Sequence, residues 1–154
     1  MNLDQRLTEL SIVLPASAAP GAQYAPGVVH QGLAWIAGQL PRDGDRVLVS
    51  GKLGREVSIE DAKMGARAAL IRALAALRDT VGDLKRIDKI LRLNVYVNST
   101  EDFSQQSAVA DGASALIYEL FGPEQGRHAR TSVGVAQLPR NAAVELDIVV
   151  ALES

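Results

Sequence analysis

With 154 residues, 22% of them charged and a net charge of −2, the chain has the length for one domain with one sizeable core and lacks the basic excess that attracts nucleic acid. It holds no cysteine and two histidines, His30 and His128. This excludes disulfides, thiol catalysis, cysteine-ligated zinc and a histidine-rich metal site, and makes a reducing cytoplasm the default location. No run approaches the about 20 apolar residues of a membrane span, and the polar start Met1-Asn2-Leu3-Asp4-Gln5-Arg6 is unlike a signal peptide, so no membrane association is expected.

Leu3, Leu7 and Leu10 are spaced for a short helix over residues 3–9. Ser11-Ile12-Val13-Leu14 reads as a brief strand stopped by Pro15, and Pro15 to Gly27, rich in Ala, Gly and Pro, as loop. The one aromatic there, Tyr24, either anchors the loop or offers a phenol to a ligand. Val28–Gln31 and Leu33–Ala37 read as strands paired about Gly32, with Trp35 in the core. Gly38 then marks either a plain bulge or turn, or a point where a ligand approaches the backbone. Asp43-Gly44-Asp45 is a turn before a short strand, Arg46–Val49, and Gly51 to Gly54 is loop.

Ser58, three residues before Asp61, caps the clearest helix of the chain. Ala62, Ala66, Ala69, Leu70, Ala73, Leu74 and Leu77 form its apolar stripe, Gly82 supplies the stop, and Arg67, Arg72 and Arg78 form its solvated face. Ile87 to Val97 reads as a strand with Leu91, Leu93, Val95 and Val97 toward the helix. Arg92, Asn94 and Tyr96 lie on a mixed face that meets either another subunit or water. A second helix runs from Thr100 to about Phe121, with Phe103, Ala110, Ala113, Leu116, Ile117 and Leu120 inward and Gly122-Pro123 at its end.

Residues 127–152 read as a β-hairpin turning at Leu138-Pro139-Arg140-Asn141. Alternation then puts Thr131, Val133 and Val135 over the core with Leu146, Ile148, Val150 and Leu152. It gathers Arg130, Ser132, Gly134, Glu145 and Asp147 on the other face. The pattern of strands interleaved with two helices indicates an α+β two-layer sandwich, a mixed sheet with two helices on one face, in a single domain over residues 1–154.

Three stretches resemble the RidA, or YjgF, family: Tyr24-Ala25-Pro26-Gly27 through Gly38-Gln39-Leu40-Pro41, Arg92-Leu93-Asn94-Val95-Tyr96-Val97, and Ala129-Arg130-Thr131-Ser132 through Leu138-Pro139 to Val144-Glu145-Leu146. The segment around Arg127-His128 and the N-terminal helix are more similar to the subgroup labelled endoribonuclease L-PSP / chorismate mutase-like. The resemblance implies a chorismate-mutase-like fold, a homotrimer with three intersubunit clefts, and hydrolysis of enamines and imines to ammonia and a 2-oxo acid, with no metal or organic cofactor. It places Arg130 on a substrate-carboxylate clamp, Glu145 on the residue that holds the attacking water, Gly38 and Ser132 where backbone meets substrate, and Tyr24 on the cleft aromatic. A guanidinium suits the first role by its two parallel charge-assisted bonds, a carboxylate the second by polarising water.

His128 falls at the loop end near this cleft and is a candidate acid or base. Two family residues are replaced: the Ser before the Gly-Gln pair by Ala37, and an Asn of the second helix by Ala115. Their absence favours a second reading, a non-catalytic trimer that binds or senses a 2-imino or 2-oxo acid. The ribonuclease of the subgroup's label is a third, which the negative net charge and 4% aromatic content oppose.

Overall fold

The computed structural model describes residues 2–16 and 21–153. Helix α1 (Leu3–Glu9) is capped by the Asn2 side chain, which accepts from Asp4 N at 3.1 Å, and it buries Leu3 and Leu7. Residues 12–14 form no strand: the helix is followed by a left-handed turn at Ser11 (φ 55°), and Ile12 N bonds back to Leu7 O.

Strands β1 (Gly27–His30) and β2 (Leu33–Gln39) make the expected antiparallel hairpin about Gly32. The turn is left-handed at both Gln31 and Gly32, which matches strand twist and favours glycine. Strands β3 (Arg42–Asp43) and β4 (Arg46–Val47) form a separate small hairpin. Helix α2 (Ile59–Val81) starts as its sequence specifies, with Ser58 Oγ accepting from Asp61 N at 3.1 Å, and its alanine–leucine stripe is buried. Arg67 and Arg78 are half-buried, but Arg72 is buried at 8% exposure. It does not belong to a solvated face, because the β3–β4 hairpin packs over that side of α2.

Strand β5 (Ile87–Asn98) buries Ile90, Leu93, Val95 and Val97 against the helices. Leu91 is turned outward instead, because a bulge between Ile90 and Arg92 shifts the alternation by one residue. Helix α3 (Gln106–Gln125) begins later than Thr100, leaving Phe103 packed on the core from the preceding loop. Its inner residues Ala110, Ala113, Leu116, Ile117 and Leu120 are buried as expected. The regular helix breaks at Gly122 (φ 74°), after which Pro123 opens one more turn.

Strands β6 (Ala129–Val135) and β7 (Val144–Leu152) are not a hairpin. The sheet order is β1-β2-β7-β5-β6, so β5 lies between them. β7 pairs antiparallel with β2 and β5, and β6 pairs parallel with β5 at the edge. The link between them carries a short 3-10 turn, Pro139–Asn141, past the end of β5. Buried Asn98 pins that crossing: its Nδ2 donates to Gly51 O and Ala142 O, both at 3.1 Å, and its Oδ1 accepts from Lys52 Nζ at 2.6 Å.

This register corrects the faces. Arg130 stands beside Leu93 and Thr131 beside Asn94, so Arg130, Ser132 and Gly134 face α3, on the helix side of the sheet. Thr131, Val133 and Val135 share the open side with Arg92, Asn94, Tyr96, Glu145 and Asp147. β6 has the opposite phase from the one its valines suggest, because its helix-side neighbours on α3 are polar. The open face also carries Trp35, 53% exposed rather than in the core, with Val28 as its partner across the hairpin. Both long helices cover the other face, giving a mixed sheet under one helical layer.

Candidate functional site

The predicted site residues separate into two groups. Tyr24, Gly38 and Glu145 line one cavity of about 450 Å³ beside the last residues of β2. The wall on the α2 side is Arg72, Ala75 and Ala76; Gln39, Arg42, Asp45 and Arg140 add to the polar lining. A bulge between Ile36 and Gln39 in the β2–β7 pairing brings Gly38 against Glu145. A Cβ at position 38 would overlap Glu145 Oε1, so glycine here lets the carboxyl lie along the backbone. Tyr24 stands exposed at the cavity, and so is not a buried anchor of its loop.

Glu145 is partly buried, and no described residue donates a hydrogen bond to its carboxyl. Burial first, and the nearby Asp147 second, hold its carboxyl above the usual carboxylate range. Asp147 on the same face is fully engaged: it accepts from Asn94 Nδ2 at 2.8 Å and from Tyr96 Oη at 3.1 Å. Burial, then Asp147, push the Tyr96 phenol up in turn. Arg72 reaches the cavity from α2. Its Nη1 donates to Arg42 O at 3.4 Å, and its Nε is buried with no partner. Burial lowers its pKa and the neighbouring Arg42 lowers it further, against a smaller opposing effect of Asp43.

The second group lies under α3. Arg130 Nη1 bonds Asp111 Oδ1 at 2.8 Å and Ser114 Oγ at 3.1 Å, and its Nη2 reaches Ser107 O at 3.4 Å. Ser132 Oγ is 3.3 Å from Ser107 Oγ. His128 Nδ1 is 2.6 Å from Gly126 O, and Nε2 is 2.9 Å from Ser114 Oγ. A carbonyl only accepts, so Nδ1 carries a proton; in the neutral ring Nε2 accepts from Ser114, whose hydroxyl oxygen accepts from Arg130. The Tyr118 ring lies against His128 with centroids 5.7 Å apart. Ala115, at the position of the family's Asn, is exposed, while its neighbour Ser114 supplies the polar contact to Arg130. Arg127 is exposed.

Within one chain Arg130 and Glu145 are therefore on opposite faces of the sheet and cannot serve one ligand. The cavity of Glu145 combines a carboxyl free to hold a water, exposed backbone at Gly38 and a phenol, with cations along one wall. Sequence reasoning missed Arg72, Arg42 and Arg140. Arg72 carries no local signal, since its burial comes from a hairpin about 30 residues away in the chain. Ser107, Asp111 and Ser114 have helical spacing and would have been visible as a polar stripe on the second helix.

A family model described as "YjgF/chorismate_mutase-like, putative endoribonuclease" matches residues 4–152. The chain is 43% identical over 148 residues to Protein TCP17 of Trypanosoma cruzi, covering 96% of this chain and 92% of that one. It is 27% identical over 112 residues to a 2-iminobutanoate/2-iminopropanoate deaminase of Dermatophagoides farinae, covering 71% and 80%. A crystal structure of a protein of unknown function from Agrobacterium tumefaciens superposes with a TM-score of 0.89 at 37% identity, covering 98% of this chain and 92% of that one. The open sheet under two helices, the cavity at its bulged second strand and a family match over almost the whole length agree: the chain belongs to the YjgF, or RidA, family.

Proposed function

We propose that the protein binds a small 2-imino or 2-oxo acid and hydrolyses the imine to ammonia and the 2-oxo acid, acting in the cytoplasm as a homotrimer with its sites at subunit boundaries. The observation that carries this reading is the unbonded Glu145 carboxyl lying against Gly38 in the cavity that Tyr24 also lines. The name of the Dermatophagoides relative supports the reaction class.

In the ionised state Glu145 accepts a hydrogen bond from water and aims its oxygen at the iminium carbon. The C–O bond forms as the C=N π electrons move to nitrogen. A water proton passes to Glu145 and on to the amine; the adduct then collapses, its hydroxyl giving the second proton back to the Glu145 carboxylate as C=O forms and the C–N bond breaks to release ammonia. The substrate's carboxylate needs a cation. Arg130 serves as that clamp only if the guanidinium of a neighbouring copy enters the cavity. The open face, with Trp35, Val28 and Val133 exposed beside polar groups, suits contact between copies, and Arg130, on the edge strand β6, would have to leave Asp111 to reach a neighbour.

The test is ammonia release from freshly generated 2-iminopropanoate. Acceleration over buffer that is lost in Glu145→Gln and in Arg130→Ala supports the reading, and no acceleration rejects it. A second reading, binding without turnover, is favoured by Ala37 and by the pairing of Arg130 with Asp111. Thermal stabilisation by 2-oxo acids with no ammonia release would select it.

A further inference from the structure

We infer that the acid bound in the Glu145 cavity carries a second anionic group and that Arg72 holds it. The inference deepens the function proposed above, and it rests on that reading for the choice of this cavity as the place where the metabolite binds.

Three observations support it. Arg72 is 92% buried, as its 8% exposure leaves it, yet it lines a cavity of about 450 Å³. Its only hydrogen bond among the described residues is the long one to Arg42 O, its Nε has no partner, and no described carboxylate lies within ion-pair distance. Asp43 is close enough to favour the charged form of Arg72 but makes no ion pair with it; a buried guanidinium with so distant a counter-charge is costly in a folded chain, whereas an anion seated in the cavity would meet it with the planar, two-pronged geometry that this group favours. The surroundings point the same way. Arg42 and Arg140 line the cavity beside Arg72, against the acids Asp45 and Glu145. The adjacent residues on the α2 wall are Ala75 and Ala76, whose small side chains leave room for a ligand to approach.

Arg130 is a contrast in bonding. Its guanidinium already has Asp111, Ser114 and the Ser107 carbonyl. Arg72 retains donors that only something from outside the described chain can use. If the carboxylate next to the imine goes to a clamp such as Arg130 of another copy, Arg72 reads the far end of the substrate. The substrate class is then a short dicarboxylic imino or oxo acid rather than the imine of a small neutral amino acid.

The experiment measures binding of 2-oxoglutarate and of 2-oxobutanoate by calorimetry. The wild-type chain is expected to bind the diacid at least tenfold more tightly, and Arg72→Met to bring the two affinities within about threefold of each other. Arg72→Lys, which keeps the charge but loses the fork, is expected to lie between. Equal affinities in the wild type, binding of neither acid, or a preference that survives in folded Arg72→Met overturns the inference. Should Arg72→Met not fold, a crystal structure of the wild type with 2-oxoglutarate decides: a distal carboxylate on Arg72 supports the inference and one placed elsewhere overturns it. Ammonia release is read separately. Diacid preference without turnover leaves Arg72's role standing and removes the deaminase, and turnover of 2-iminopropanoate without diacid preference does the reverse.

Discussion

The polar cluster under α3 and the cavity beside β2 hold the same kinds of group and treat them in opposite ways. Under α3, Arg130, Ser114 and His128 form a closed chain of donors and acceptors that ends on Gly126 O. In the cavity, the partly buried Glu145 carboxyl has no hydrogen bond from a described residue, and the Arg72 Nε is withdrawn from water and left unbonded. Buried polar groups in folded proteins are nearly always satisfied, and the exceptions call for an explanation. The satisfied cluster ties an edge strand to its helix and holds the Arg130 guanidinium in place. The unsatisfied cavity reads as a place completed by a ligand.

The largest test of this contrast is Glu145→Gln. Imine hydrolysis should fall about a hundredfold or more, the usual scale for loss of a positioned base. The same change should raise the melting temperature at pH 8. Folding raises the pKa of this carboxyl. Its contribution to stability is therefore fully present below the unfolded value and is lost as pH rises through the folded one. The amide avoids that loss, so the gap between variant and wild type should close as the pH is lowered toward 4. A gap between variant and wild type no wider at pH 8 than at pH 4 would remove Glu145 from the strained side of the comparison.

Two glycines sharpen it next. A Cβ at Gly112 would run into the Lys63 backbone, where α3 approaches α2, and that obstacle cannot rotate away. Gly112→Ala should cost about 1–3 kcal/mol by denaturant unfolding. A Cβ at Gly38 would meet only the end of the Glu145 side chain. Gly38→Ala should unfold at nearly the wild-type denaturant concentration yet lose about tenfold in turnover, since a misplaced water-holding group is punished steeply. Equal stability losses in the two variants would contradict this division of labour.

The smallest effect is expected from Asp111→Ala. Its pair with Arg130 is partly exposed, with the Asp111 side chain 58% accessible, so removal should cost under about 1 kcal/mol. It frees a guanidinium, and 2-oxo acid binding should hold or tighten. Weakened binding would mean that Asp111 helps the clamp instead of competing for it.

The sequence specified α2 nearly to the residue, because a serine cap, an alanine–leucine stripe and a terminal glycine are local signals. It specified the β1–β2 hairpin for the same reason. Strand partners are not local. Alternation shows which residues of one strand share a face, but not which strand lies alongside, and the insertion of β5 between β6 and β7 inverted the predicted grouping of Arg130 with Glu145. Tyr24, Gly38 and Glu145 were found through motifs, and the structure brings them to one cavity. Helical periodicity sees the helix and not the hairpin laid across it, so the pattern alone puts Arg72 in solvent.

The strand that closes the sheet is β7, last in chain order and central in space. During synthesis the β1–β2 ribbon and the β5–α3–β6 unit emerge first, bridged by α2 but with no strand between them. The α3 cluster, whose members fall within residues 107–130, can assemble from neighbouring chain. The cavity needs groups from the loop before β1, from α2 and from β7, so it forms only when the final strand slides between the two halves. Long-range pairing of this kind is slow, and until it is complete the nascent chain exposes two bare strand edges that other chains can capture.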